Sequence, residues 1–350
     1  MNIIIPMAGH SRRFFESGYL GPKALLPVGE QSMISHVVNM FDTSACKYHV
    51  VINHQQLEDN SDLTNYLTKL AASVKVVVVD EHELGPVYSA LQVNNIDCDE
   101  EIIISYCDFI VEWNYSLFLR HIQENDGALV SFKGFHPASF GDTYYAYMKV
   151  DGDRMLELRE KKSFSSNRSE EHASTGIYYF KNFNLLKKYG NKWLNKKKIL
   201  PEVYVSLLYN DMVQDNLSVV VHEADKFICL GTPDDYEQYK FWWKYFHEKQ
   251  KIVAKQVHSV KRVGLIPMAG KGSRFREYGY RVPKPLIQID NQPMVLRTIG
   301  SMPEQDQWIF LPRKEDVDRY PIEQALRSFS DDCTIHPVHE LTSGQAATCM

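Results

Sequence analysis

The sequence has no apolar run long enough to cross a membrane, and its first residues lack the pattern of a cleaved signal peptide. We therefore expect a cytoplasmic protein with no membrane partner. Its six cysteines show no Cys-x-x-Cys spacing, which argues against a zinc site and a disulfide framework. No charge sign dominates, because 39 basic and 44 acidic residues give a formal charge of −5. This predicts no nucleic-acid partner, so a polyanionic ligand needs local positive charge.

Two common phosphate-binding signatures are also missing. The sequence contains no GxxxxGK[ST] loop, and Ser11 stands where a dinucleotide-binding GxGxxG motif would have its second glycine. Phosphate binding in this protein therefore has to rest on another kind of loop.

The chain contains an internal repeat. Residues 6–34 align without gaps with residues 267–295, and 14 of the 29 positions are identical, where composition alone gives about two. A weaker match places Gly85 opposite Gly344, each before a predicted helix. We predict a tandem duplication with a first domain at 1–250, a linker at 251–262 and a shorter second copy at 263–350. Because that copy ends before any counterpart of Asp108, we expect it to be truncated and function to lie in the first domain.

Apolar, β-branched segments alternate with helical patterns through the first domain. The helical pattern is clearest at 32–41, where the apolar residues recur on one face. The alternation predicts an α/β fold, a doubly wound, mostly parallel but mixed sheet with helices on both faces. A strand-rich region, 144–180, is predicted to form the acceptor-binding half. The strands themselves are predicted at 2–6, 48–52, 74–79, 101–105 and 128–132.

A glycine turn follows the first predicted strand. Gly9 permits close approach of the backbone to phosphate oxygens, and the Arg13 guanidinium can bind them with two hydrogen bonds. Lys23 follows ten residues later, after Pro22, and the second copy keeps this separation. By itself the turn is equally explained as a tight connection, but the two cations favour a phosphate site.

Several segments in the right order resemble the sugar-phosphate nucleotidyltransferases. The second copy matches the opening motif MAGxGSRF better than the first. This resemblance implies a Rossmann-like nucleotide-diphospho-sugar transferase domain. The matching segments are 7–14 and 22–28, Gly85 at the base-recognition turn, Asp108 after a strand, Glu160-Lys161, Thr175-Gly176, the closing 231–235, and 268–275 with Lys284 in the second copy.

The resemblance implies an activity and its partners. A nucleoside monophosphate would pass from a nucleoside triphosphate to a sugar phosphate or similar acceptor, with release of pyrophosphate, for capsule or surface polysaccharide synthesis. CTP is slightly preferred over UTP and dTTP, Mg²⁺ is the expected cofactor, and a homo-oligomer is possible.

The resemblance also assigns roles to residues. Arg13 would hold the pyrophosphate, Lys23 the α-phosphate and Asp108 the Mg²⁺, and these three form the predicted catalytic set. The predicted nucleotide-binding residues are Ala8, Gly9, Arg12, Arg13, Lys23, Gly85 and Asp108. Glu160, Lys161, Thr175 and Gly176 are predicted to bind the acceptor, and Gly270, Gly272, Arg274 and Lys284 to bind nucleotide in the second copy.

Two departures from the family pattern affect the site. Ser11 replaces a glycine, and Arg12 follows where Ser or Thr is usual. Cys229 occupies the place of a second metal-binding aspartate, and a thiol is a poor Mg²⁺ ligand. Either Asp108 holds the metal with substrate oxygens alone, or another carboxylate such as Asp225 serves, or the activity is weakened.

Two other function classes are open from the sequence. A glycosyltransferase of related fold would use a nucleotide sugar, but such enzymes present two aspartates in a DxD motif, which Cys107-Asp108-Phe109 does not supply. A non-catalytic nucleotide-binding regulator is the alternative that Ser11 and Cys229 favour.

Overall fold

The computed structural model describes residues 1–134, 136, 145–196, 202–254, 261–330, 333–340 and 344–349. The chain divides into two compact units, Met1–Tyr245 and Phe246–Met350. A long helix, Pro233–Ala254, includes the first four residues of the segment predicted as linker. Residues 255–260 of that segment lie outside the described part of the chain, and the predicted domain limits stay predictions.

A nine-stranded mixed sheet forms the centre of the first unit. The strands of this unit are β1 (Asn2–Pro6), β2 (Pro27–Val28), β3 (Gln31–Ser32), β4 (Lys47–Asn53), β5 (Val74–Val79), β6 (Ile102–Ser105), β7 (Phe109–Glu112), β8 (Gly127–Phe132), β9 (Ala146–Asp151), β10 (Arg154–Glu160), β11 (His172–Phe180), β12 (Val219–Glu223) and β13 (Lys226–Cys229). The large sheet has the order β5-β4-β1-β6-β11-β8-β12-β10-β9, and β2–β3 and β7–β13 form separate pairs. Strands β5, β4, β1 and β6 run parallel, whereas β11 is antiparallel to its neighbours β6 and β8.

Helices cover both faces of this sheet. They are α1 (Arg12–Glu16), α2 (Met33–Asn39), α3 (His54–Asp59), α4 (Leu63–Thr68), α5 (Pro86–Leu91), α6 (Tyr115–His121), α7 (Phe183–Asn195), α8 (Leu208–Gln214) and α9 (Pro233–Ala254). One core contains apolar side chains of α2, α4 and α6, and the other contains those of α5, α7 and α8. Short 3-10 turns lie at Lys23–Leu25, Arg168–Glu170 and Val205–Leu207.

The alternation of side chains along β1 explains the two layers. Ile3 and Ile5 point into one core and Ile4 into the other, and all three side chains are fully buried. Burial of each such side chain contributes about 1.5 to 3 kcal/mol. A strand that is buried on both faces has consecutive apolar residues, and the sequence of β1 has this pattern.

The predicted α/β architecture is confirmed. All five predicted strands are present, two of them, β1 and β5, with the predicted bounds. The predicted helix at 32–41 is α2, and the strand-rich region contains β9, β10 and β11. Residue 144, at the start of that region, lies outside the described residues.

The second unit contains a three-stranded parallel sheet. Its elements follow one another in the order that the first unit shows up to α4 and β5. The strands are β14 (Val263–Met268), β15 (Gln288–Ile289), β16 (Gln292–Pro293), β17 (Gln307–Pro312) and β18 (Thr334–Ile335), and the helices are α10 (Ser273–Glu277), α11 (Met294–Gly300), α12 (Lys314–Arg319), α13 (Ile322–Arg327) and α14 (Gln345–Cys349). The sheet order is β14-β17-β18, as β1-β4-β5 in the first unit. Among the described residues, no helix combines the length and apolarity needed to span a membrane.

A buried histidine in β4 predicts a pH-dependent stability. The Nε2 of His49 donates to Asn2 Oδ1 at 3.1 Å, because the Asn2 amide nitrogen itself donates to Glu101 O, and Nδ1 is then the unprotonated nitrogen. Burial lowers the pKa of His49 from 6.5 to about 4. The unfolded chain therefore binds a proton below pH 6.5 that the folded chain excludes.

We expect the free energy of unfolding to fall between pH 6.5 and pH 4, with His49 contributing up to ~1.4 kcal/mol per pH unit. The variant His49→Gln should show a shallower dependence in urea unfolding at pH 7 and pH 5. His54→Gln is the control, since the His54 side chain is 60% exposed. Equal slopes in the two variants would contradict the assignment.

Candidate active site

The glycine loop between β1 and α1 is held by two amide side chains. Asn53 Nδ2 donates to Ala8 O at 2.8 Å, and Gln56 Nε2 donates to Met7 O at 2.9 Å. Because a peptide C=O and the following N–H point in opposite directions, these bonds turn the N–H groups of Ala8 and Gly9 to the other side of the loop. Ala8, a predicted nucleotide-binding residue, is itself buried.

Asn53 and Gln56 were not predicted as site residues. They form a capping box at the start of α3, in which each side chain accepts from the backbone N–H of the other. A signal was present, because an Asn-x-x-Gln sequence after a predicted strand marks such a box. What the sequence does not show is that the remaining amide hydrogens reach the loop after β1.

Ser11 adopts a left-handed backbone conformation, with φ 50° and ψ 33°. In the second unit Gly272 has the same conformation, with φ 61° and ψ 31°. The departure from glycine at this position therefore strains the loop. The Ser11 hydroxyl accepts the Lys23 backbone N–H at 3.3 Å, which offsets part of this cost.

Lys23 and Asp108 meet in the cleft above the sheet. The Lys23 ammonium lies 2.6 Å from Asp108 Oδ2, and about a fifth of each side chain is exposed. Lys23 follows Pro22, which is extended, and begins the 3-10 turn Lys23–Leu25. Asp108 follows β6, the parallel neighbour of β1. Two predicted catalytic residues, 85 positions apart, are thus in direct contact.

The ion pair keeps Lys23 protonated. Burial alone would lower the pKa of Lys23, but the negative charge of Asp108, with smaller contributions, outweighs it and raises the pKa. The cleft therefore contains a fixed positive charge, which suits the oxygen atoms of a phosphate.

The other predicted nucleotide residues line one side of this pair. Arg12 forms an exposed ion pair with Glu83 at 2.9 Å, and Arg13 is exposed beside the cleft. Gly85, at φ 87°, packs against the backbone of Val203, since a Cβ there would lie 2.7 Å from Val203 N. A close backbone approach is thus one reason for glycine at this turn.

The predicted acceptor residues line the opposite side. Glu160 accepts a hydrogen bond of 2.5 Å from Ser206 Oγ, and burial raises its pKa despite that bond and the charge of Lys161. The Thr175 hydroxyl donates to Val130 O at 3.0 Å, so it is already used by the backbone. Gly176 has φ 105°, and a Cβ there would lie 2.9 Å from the Phe109 ring.

Cys229 lies beside carboxylates that the sequence did not assign. Its thiol donates to Asp235 Oδ2 at 3.4 Å, and burial raises its pKa to about 12. Asp235 also accepts from the Thr232 hydroxyl at 2.6 Å. Asp234 and Asp235 line the same cavity as Asp108. Asp225, the carboxylate suggested as a replacement, is exposed in the turn between β12 and β13 and is not part of this lining.

Three adjoining cavities form the cleft. A cavity of about 870 Å³ contains the acceptor residues with Asp108, Asp234 and Asp235. One of about 490 Å³ contains the glycine loop, both arginines and Gly85. A third, of about 190 Å³, lies between them and is lined by Lys23, Asp108 and Tyr204. Of the predicted residues of the first unit, all but Ala8 line one of the three.

The predicted residues of the second unit also come together. Gly270, Gly272, Arg274 and Lys284 line one cavity of about 370 Å³. The Lys284 ammonium lies over the Phe275 ring, 5.4 Å from its centre, whereas Lys23 contacts a carboxylate.

Residues 3–162 match the family profile of the MobA-like NTP transferase domain. The first unit therefore carries a MobA-like NTP transferase domain. No curated protein sequence matches the chain. This assignment confirms the resemblance to nucleotidyltransferases, while the duplication stays a prediction.

Solved structures share the fold of the NTP transferase domain. One is the nucleoside-diphosphate-sugar pyrophosphorylase from Vibrio cholerae RC9, with a TM-score of 0.56, 22% identity, and 68% of this chain and 98% of that chain covered. A second is a putative glucose-1-phosphate thymidylyltransferase from Bacillus anthracis, with a TM-score of 0.56, 16% identity, and 70% of this chain and 95% of that chain covered. A third is the inositol-1-phosphate CTP transferase from T. maritima, with a TM-score of 0.51, 14% identity, and 68% of this chain and 93% of that chain covered. At these identities the likeness shows the fold.

The strain at Ser11 in the NTP transferase domain gives a testable order of stabilities. Ser11→Ala removes the hydroxyl and keeps the left-handed backbone, so it should lower the free energy of unfolding by about 0.5 to 1.5 kcal/mol. Ser11→Gly also removes the strain, worth about 1 to 2 kcal/mol, and should be the more stable of the two variants. Urea unfolding of both against the unaltered chain measures this. An alanine variant equal to or above the glycine variant would refute it.

Proposed function

We propose that the first unit transfers a nucleoside monophosphate from a nucleoside triphosphate to a sugar phosphate or a similar phosphorylated acceptor and releases pyrophosphate. The observation that carries this proposal is the Lys23–Asp108 pair, 2.6 Å across, between a glycine loop with two arginines and a second cavity with Glu160 and Lys161. Two phosphorylated substrates would meet at that pair.

The residues suit a reaction in which the protein only positions and stabilises charge. A phosphate oxygen of the acceptor forms a bond to the α-phosphorus, the bond from that phosphorus to the bridging oxygen breaks, and pyrophosphate leaves with the electron pair. Lys23 would stabilise the charge on the α-phosphate oxygens, and Arg13 with the loop N–H groups would hold the pyrophosphate. Lys161 would hold the acceptor phosphate and Glu160 an acceptor hydroxyl.

The carboxylates fit a Mg²⁺ ion that binds mainly through phosphates. Within the described residues, no group of three or more His, Cys, Asp or Glu side chains is placed to hold a metal ion by itself. Mg²⁺ commonly uses one or two carboxylates and completes its shell with water and phosphate oxygens. Asp108, with Asp235 on the same cavity, would hold it, and the ion would neutralise charge on the phosphates.

We further propose, from the resemblance to the sugar-phosphate nucleotidyltransferases, that CTP is the preferred nucleotide, with UTP and dTTP as alternatives. The same resemblance supports a role in capsule or surface polysaccharide synthesis. Pyrophosphate release, measured for each nucleoside triphosphate with each of several sugar phosphates, tests these substrate assignments. Hydrolysis of a nucleotide sugar without pyrophosphate release would favour a glycosyltransferase, and binding without turnover a regulator.

The lysines of the two units give a matched comparison. In the full chain, Lys23→Ala should lower kcat/KM, because an oxyanion donor is lost. The expected loss corresponds to about 2 to 4 kcal/mol of transition-state stabilisation. Lys284→Ala should leave pyrophosphate release unchanged if function lies in the first unit. The reverse result would place the activity in the second unit.

Cys229 allows a gain-of-function test of the metal site. Cys229→Asp adds a third carboxylate near Asp108 and Asp235, so the half-maximal rate should need several-fold less Mg²⁺. Without Mg²⁺ the same variant should melt at a lower temperature, because like charges repel. Cys229→Ser is the neutral control. An unchanged Mg²⁺ requirement in Cys229→Asp would separate this position from the metal.

A further inference from the structure

A short segment, Glu202–Ser206, contacts both sides of the cleft. Val203 N–H donates to Leu84 O at 3.0 Å, next to Gly85, and Val205 N–H donates to the Tyr106 hydroxyl at 3.4 Å. Ser206 donates to Glu160, as described above. Successive residues therefore touch the base-recognition turn, the strand end that precedes Asp108, and the acceptor pair. No residue of the segment Glu202–Ser206 was predicted as a site residue from the sequence.

Tyr204 occupies the middle of this segment and contacts Lys161 in two ways. The Lys161 ammonium donates to the Tyr204 hydroxyl at 2.9 Å and lies 4.6 Å from the centre of its ring. The hydroxyl donates its single proton to Glu202 Oε2 at 2.5 Å. Glu202 thereby fixes the direction of the bonds, because the phenol oxygen, having given its proton away, can only accept from Lys161.

Lys161 has a strained backbone and a long side chain that needs a contact to stay in one position. It is a non-glycine residue at φ 54°, directly after β10, and its N–H donates to Tyr145 O at 2.9 Å. Strained residues persist where several contacts determine them together, and they are common at functional sites. A lysine side chain is also long and flexible, so an ammonium without a fixed contact would sample many positions.

Tyr204 itself remains neutral and uncharged beside these groups. Burial, followed by the hydrogen bond and charge of Glu202, raises the pKa of the phenol further above its ordinary value of 10. Its side chain lines both the cavity of Lys23 and Asp108 and the cavity of Glu160 and Lys161. It therefore stands where the two substrates would meet.

We infer that Tyr204 is a positioning residue that holds the Lys161 ammonium, through its oxygen and its ring face, at the place where the acceptor phosphate binds. This inference rests on the proposed function, since it gives Lys161 the acceptor phosphate. Loss of the hydroxyl weakens acceptor binding and leaves triphosphate binding intact.

The test is a titration of the full chain with inorganic phosphate as the probe, in which the broadening of the ³¹P signal measures binding. Lys161→Met defines the part of phosphate binding that depends on Lys161. Tyr204→Phe, which keeps the ring, should weaken that part by about 3- to 10-fold. Binding of CTP with Mg²⁺ should change less than 2-fold. Tyr209→Phe is the matched control, because the buried Tyr209 hydroxyl donates to Tyr179 O at 2.7 Å outside the cleft.

The outcomes separate the inference from the proposed function. Phosphate binding equal to the unaltered chain in Tyr204→Phe, or unchanged binding in Lys161→Met, would overturn the inference. So would an equal loss in Tyr209→Phe, which would indicate a structural effect. Absence of pyrophosphate release by the unaltered chain, with every substrate pair, would overturn the proposed function and leave the phosphate comparison between variants valid.

Discussion

The site depends on one ion pair between residues that the chain brings together from distant positions. Lys23 and Asp108 lie 2.6 Å apart and are both largely buried. Removal of either side chain would leave the other charge uncompensated in a cavity of low polarity, which is costly. A triphosphate with its cation would offer both partners a substitute, phosphate oxygens for the ammonium and the cation for the carboxylate. Until such a ligand binds, each charge of the pair is compensated by the other.

The sheet explains why this pair can form. Strands β1 and β6 are parallel neighbours, with Ile4 opposite Ile104, so the loops that follow them leave the same edge. Strand β11 is antiparallel to β6 and pairs Ile177 with Ser105, which brings Gly176 to that edge from the opposite chain direction. Mixed strand directions thus place the predicted nucleotide-binding residues and the predicted acceptor-binding residues side by side. In an entirely parallel sheet, only the loops that follow the strands would lie at this edge. The antiparallel β11 adds residues from within a strand that runs the other way.

The sequence predicts well what local pattern determines and poorly what long-range contact determines. The β1 and β5 strands follow from apolar runs, and their predicted bounds are those of the structure. The amide bonds from Asn53 and Gln56 to the glycine loop join residues 45 and 49 positions apart, and no local pattern encodes such a distance. Tyr204 was missed for the same reason, since its partner Lys161 is 43 positions away. Asp225 was a reasonable substitute by composition, but only the structure shows that Asp235 faces the cavity.

The second unit shows how far the local motif carries by itself. Its loop has the same left-handed conformation at Gly272, and its lysine begins a 3-10 turn, Lys284–Leu286, as Lys23 does in the first unit. Yet within residues 261–330, 333–340 and 344–349 no carboxylate pairs with Lys284, which lies over the Phe275 ring instead. The geometry of this loop thus depends on one strand, one turn and one helix, and it forms in a unit whose described sheet has three strands. The carboxylate that faces Lys23 in the first unit, Asp108, follows a strand that pairs with β1 only after about 100 residues of chain.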